Sequence, residues 1–132
     1  MEYTKSFTRL SKNDSHIAGG KGASLGEMTQ AGIPVPPGFV ILTPTFDHFI
    51  QETGLIEEID AALEKVNHTV MHTVEAASET IEALIVKQEI PEDIKSEITK
   101  QFEKLGSEFV AVRSSATAED GAENAWAGQL ES

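Results

Sequence analysis

The chain has 132 residues, 39% of them hydrophobic and 24% charged, which fits one globular domain and argues against wholesale disorder. Ten lysines and arginines against 22 aspartates and glutamates give a formal net charge of −12, a field that repels nucleic acid and anionic membrane surfaces. The lack of cysteine excludes a disulfide framework, a thiolate nucleophile and a Cys-ligated zinc, and no apolar run reaches the roughly 20 residues of a membrane span, so the cytoplasm is the expected compartment.

Residues 1–18 are polar and irregular, with Phe7 and Leu10 as apolar anchors. Gly19-Gly20-Lys21-Gly22 follows, and Ala23, Leu25, Met28 and Ala31 then share one helix surface, with Gly32 placed as a C-cap glycine. Pro34, Pro36 and Pro37 force an extended segment. Phe39-Val40-Ile41-Leu42 reads as a short buried strand. Thr43-Pro44 starts a helix with Phe46, Phe49 and Ile50 on its apolar face, and Gly54 ends it. From 55 to 88 apolar residues recur at steps of three and four, and Asn67-His68-Thr69 divides the stretch into two helices. Pro91 opens a further helix with Ile94, Ile98, Phe102 and Leu105 inward and Gly106 as its stop. Phe109-Val110-Ala111-Val112 reads as the second clear strand, running into Arg113-Ser114-Ser115 and a loop of small residues to Gly128. The fold class is therefore α+β, a small sheet with a helical insertion. Two strands are few for a stable sheet, so 1–10 and 124–132 are the candidates for additional strands unless sequence outside the chain completes it.

Three segments carry groups suited to chemistry. At Gly19-Gly20-Lys21-Gly22, glycines permit close backbone approach, N–H groups at a helix start favour anions, and a lysine adds charge. A flexible helix entry with a solvated lysine has the same sequence. The Walker A pattern fails because Gly22 stands where Ser or Thr must follow the lysine, and the dinucleotide fingerprint fails in its glycine spacing and in its missing strand. Arg113, leaving a strand beside two hydroxyls, suits a bidentate phosphate contact or a surface carboxylate pair. Glu119, Asp120 and Glu123 have oxygens for a hard cation but lack the EF-hand spacing, and Trp126 suits a loop anchor or a base-stacking surface. His68 and His72 stand four apart, as a metal pair on one helix face would, with no third ligand indicated.

Two of these blocks together resemble a known family. The stretch from Gly19 to Met28, with Ile33-Pro34-Val35-Pro36-Pro37-Gly38-Phe39, resembles the start of the nucleotide-binding domain shared by PEP synthases and pyruvate phosphate dikinases. Val110 to Asp120 and Ala127-Gly128-Gln129 resemble its second hallmark block, and Arg113-Ser114-Ser115-Ala116-Thr117-Ala118-Glu119-Asp120 follows the PEP synthase style, which rifampin phosphotransferases share. Ala125-Trp126 departs from the usual small residue and Phe but keeps an aromatic.

The resemblance implies an ATP-grasp-like fold with ATP between two subdomains, residues 1–132 forming the first of them as the N-terminal part of the ATP-binding domain. By the family pattern Lys21 and Arg113 contact the ATP phosphates, Gly128 lets the backbone approach the nucleotide, and Ser132 occupies a hydroxyl position in the same strand. No catalytic residue and no metal ligand is assigned within the chain. The adenine pocket and the Mg²⁺ ligands are expected after residue 132. A swivelling domain with a phosphorylated histidine and an acceptor domain for pyruvate are expected to form the rest of the native polypeptide. Ser15-His16 superficially resembles the phosphohistidine motif but lies in the wrong domain. The implied whole reaction converts ATP, pyruvate and water to PEP, AMP and phosphate, and the chain is expected to be a fragment inactive alone. The alternatives are the ATP-binding part of a rifampin phosphotransferase and a non-catalytic nucleotide-binding or interaction module.

Overall fold

The prolines at 34, 36 and 37 decide where the sheet can begin, because proline has no N–H to give to a ladder. In the computed structural model, which describes residues 2–117, pairing starts immediately after them: β1 (Thr4–Ser6) lies antiparallel to β2 (Phe39–Ile41), with Thr4 opposite Ile41 and Ser6 opposite Phe39. Phe7 N donates to the Gly38 carbonyl at 3.1 Å and Leu42 N to the Tyr3 carbonyl at 2.9 Å, extending the ladder by one bond at each end. The early polar region thus supplies a strand. The second strand is only half-buried, since it belongs to a sheet of two strands rather than to a covered interior.

Among the described residues five α-helices complete the α+β architecture: α1 (Ser15–Gln30), α2 (Thr43–Thr53), α3 (Ile56–Glu64), α4 (Met71–Lys87) and α5 (Glu92–Leu105). Gly32, Gly54 and Gly106 follow α1, α2 and α5 with positive φ, so these three helix stops are where the glycines predict them. The break near Asn67 also stands. The Asn67 side-chain oxygen accepts from Thr69 N at 3.1 Å and from the Thr69 hydroxyl at 2.7 Å, closing a turn between α3 and α4.

The expected strand at 109–112 does not form among the described residues. Phe109 is 89% and Val112 77% exposed, and the segment belongs to no sheet. Strand propensity measures the fit of β-branched and aromatic side chains to a half-buried pleated surface, and here no such surface covers them.

The chain divides into two compact units, Met1–Phe46 with Asp93–Ser132, and Asp47–Glu92. In the first, Leu10 is fully buried with Ala18 and Leu42, and Phe7, Ile17 and Val40 pack against them. Polar contacts fasten the helices to this small core. A capping box at Ser11 and Asp14 leads into α1, Lys12 N donates to Glu27 Oε2 at 2.9 Å, and the Gln30 amide donates to the Leu10 carbonyl. Helix α5 is held to β1 by carboxylates: Glu97 Oε2 accepts from Tyr3 N and from the Thr4 hydroxyl, each at 2.8 Å, and Tyr3 Oη donates to Asp93 Oδ2 at 2.6 Å. On the surface the Arg9 guanidinium grips Glu2 bidentately, at 2.6 and 3.1 Å, and holds its carboxyl below the usual range. In the second unit α3 packs on α4, with Ala62 and Ala77 buried. This helical unit carries eleven acidic residues and two lysines.

Gly26 marks the closest approach of α1 to the core, since a Cβ there would sit 2.6 Å from the Leu10 carbonyl oxygen. Alanine in place of glycine gains about 1 kcal/mol of helix propensity, whereas forcing backbone apart in a packed site costs about 1–3 kcal/mol. Gly26→Ala is therefore expected to lower the denaturant midpoint of unfolding, against the direction of propensity. Leu10→Ala is expected to lower it more, by about 2–5 kcal/mol of stability.

Candidate functional site

Helix α1 is not continuous. Gly19 breaks it with φ 75° and ψ 169°, a region essentially restricted to glycine, and a regular helix resumes beyond it. At this break the chain meets a segment more than ninety positions later. Gly20 N donates to the Ala116 carbonyl at 3.0 Å, and Gly22 N to the Ser115 hydroxyl at 3.0 Å. The same hydroxyl donates to the Ala18 carbonyl at 2.8 Å. Lys21 Nζ donates to the Ser114 carbonyl at 3.0 Å. The two sequence blocks are thus in direct contact within one unit of the fold.

An uninterrupted helix joins Gly22 N–H directly to the Ala18 carbonyl. Here the Ser115 hydroxyl stands in that gap, accepting from one group and donating to the other. A kink with a side chain inserted into the i→i−4 ladder is the expected consequence. Space for it comes from the missing side chain at Gly19, because a Cβ there would lie 2.6 Å from the Ser115 carbonyl oxygen.

Lys21 is half-buried and Arg113 exposed, one residue from the carbonyl that Lys21 contacts. Lys21 and Arg113, from opposite ends of the sequence, therefore stand on segments in direct contact, although no spacing rule connects them. The backbone expectation changes: Gly20 and Gly22 N–H groups, candidates for an anion site at a helix start, are taken by Ala116 and Ser115. Ser115 is the residue that sequence reasoning missed; it reads there only as one of two hydroxyls beside an arginine.

Other candidates separate. His68 lies in the turn before α4 and His72 within α4, so they do not share a helix face. Among the described residues no three His, Asp or Glu side chains group as a metal set. His16 is exposed in the first turn of α1. A polar cleft of about 310 Å³ beside β1 and α5, lined by Glu2, Thr4, Asp93, Glu97 and Lys100, contains neither Lys21 nor Arg113. Gly128, Ser132, Trp126 and the acidic triplet Glu119, Asp120 and Glu123 lie outside the described residues. Among those described, no helix is long and apolar enough to cross a membrane.

A nucleotide-binding class is what these blocks define, and comparison with known proteins fixes it. Residues 15–132 match the pyruvate phosphate dikinase AMP/ATP-binding domain, and the chain belongs to that family. It is 44% identical over 135 residues to a probable phosphoenolpyruvate synthase of Methanothermobacter thermautotrophicus, an alignment covering 98% of this chain and 20% of the relative. A probable phosphoenolpyruvate synthase of Methanocaldococcus jannaschii is 45% identical over 98% of this chain and 11% of its own length. The phosphoenolpyruvate synthase of Pyrococcus furiosus is 36% identical, covering 98% of this chain and 20% of the relative. The chain thus spans a fifth or less of the length of these curated relatives.

Gly19→Ala is expected to destabilise the protein by at least about 2 kcal/mol, combining backbone strain with a collision against Ser115. Gly32→Ala, also at positive φ but with no atom within 4 Å, is expected to cost about 1 kcal/mol. Denaturant unfolding of the two variants side by side checks the difference.

Proposed function

We infer that this chain is the N-terminal part of the ATP-binding domain of a phosphoenolpyruvate synthase-type phosphotransferase, with residues 1–132 in the first subdomain of an ATP-grasp-like fold. The observation that supports this most directly is the 3.0 Å contact from Lys21 Nζ to the Ser114 carbonyl, which joins the two blocks bearing the phosphate-binding candidates. The donor set suits ATP. An ammonium and a guanidinium match a polyphosphate, and the guanidinium adds planar, bidentate geometry. Lys21 and Arg113 bind the phosphates and stabilise charge on them during transfer, and Gly128 and Ser132 contribute further along the chain. Bound Mg²⁺ supplies charge neutralisation on the phosphates, through ligands elsewhere in the polypeptide.

The relatives' name denotes formation of phosphoenolpyruvate; in the proposed reaction ATP, pyruvate and water give phosphoenolpyruvate, AMP and phosphate, with the acceptor bound by other domains and the enzyme working in the cytoplasm. The chain alone is inactive in this scheme. Names of the relatives favour this acceptor over an antibiotic.

Lys21→Ala and Arg113→Ala in the full-length protein are each expected to weaken ATP binding by about ten- to a hundredfold, the scale of a lost charged hydrogen bond. Equilibrium binding of ATP checks this, and affinity unchanged in either variant overturns the assignment.

A further inference from the structure

The Ser115 hydroxyl occupies an unusual place. It bridges Ala18 and Gly22, the two backbone groups that the Gly19 break separates, and it belongs to the segment that carries Arg113. Both bridged residues are buried. Removing the hydroxyl leaves a donor and an acceptor without partners in one step, and an unmade bond at a buried group is costly. The turn bearing Lys21 is also tied to this segment from Gly20 N to Ala116 and from Lys21 Nζ to Ser114. Both are bonds to backbone carbonyls. Ser115 makes a two-sided connection through its side chain, and so fixes register as well as proximity.

We propose that Ser115 is a positioning residue: its hydroxyl, inserted between the Ala18 carbonyl and the Gly22 amide, sets the spacing between Lys21 and Arg113 and thereby their joint grip on the nucleotide phosphates. This role rests on the nucleotide-binding function inferred above. Two cations share one polyphosphate well only at a fixed separation, because misplacing a charge-assisted bond forfeits its geometry.

The test is ATP affinity in the full-length protein. Ser115→Ala is expected to weaken binding about tenfold, the scale of leaving buried polar groups unpaired. Ser115→Thr, which keeps the hydroxyl, is expected to recover affinity to within about threefold. In a Lys21→Ala background, Ser115→Ala is expected to cost under about threefold, because spacing matters only while both cations are present. A general structural defect costs the same in both backgrounds. Unchanged affinity in Lys21→Ala overturns the underlying function. With that variant weakened, an unchanged affinity in Ser115→Ala, or an equal Ser115→Ala loss in both backgrounds, overturns the positioning role. If Ser115→Ala does not fold, amide exchange in the unmodified protein decides. Linkage requires that saturating ATP tighten the bridge that supports its binding, so exchange at Gly22 is expected to slow about tenfold. Unchanged exchange overturns the proposal.

Discussion

The missing side chain at Gly19 is the constraint on which the rest of the site depends. With φ 75° and ψ 169° the backbone there adopts a conformation closed to other residues, and the Ser115 backbone fills the space a Cβ would take. The strain has a use. It opens the helix, and the gap between Ala18 and Gly22 receives a hydroxyl from a segment remote in sequence. The segments bearing Lys21 and Arg113 meet through that exchange, and the Ala18 carbonyl and Gly22 amide both keep a partner in it.

The surrounding unit explains why such a joint can be held. Its apolar core is small, with Leu10, Ala18 and Leu42 at the centre, and a two-stranded sheet has little stability of its own. Polar fastenings supplement the core: Glu97 serves the Tyr3 amide and the Thr4 hydroxyl together, and Glu27 and Gln30 clasp the chain at Lys12 and Leu10. Each contributes about 1 kcal/mol or somewhat more where a carboxylate accepts, a large share of the margin of a domain this size.

Features that depend on local chemistry were legible in the sequence. Helix ends at Gly54 and Gly106 and the division near Asn67 follow from residues that act within a turn of their own position. The strand expected at 109–112 was illegible in the opposite sense, since its residues are suitable but a strand exists only with a partner beside it. The break at Gly19 could not be singled out because Gly20 and Gly22 are equivalent candidates in the sequence; only the close approach of Ser115 chooses among them. Lys21 and Arg113 read in the sequence as separate charges that only the family resemblance joins, whereas Ser115 carries no local signal of its bridging contacts. Its partners lie 93 and 97 positions away.

The distribution of acids alters what the charge of the chain means. Net charge is an average over the whole sequence, but the helical unit from 47 to 92, with its eleven acids and two lysines, holds −9 of the −12. The unit that contains Lys21 and Arg113 is left with −3, close to neutral for its size. The cost of that imbalance falls inside the helical insertion itself, as mutual repulsion among carboxylates on α3 and α4. Dissolved salt, by screening that repulsion, acts as a stabiliser of this half of the chain in particular, so the two units respond differently to the ionic strength around them.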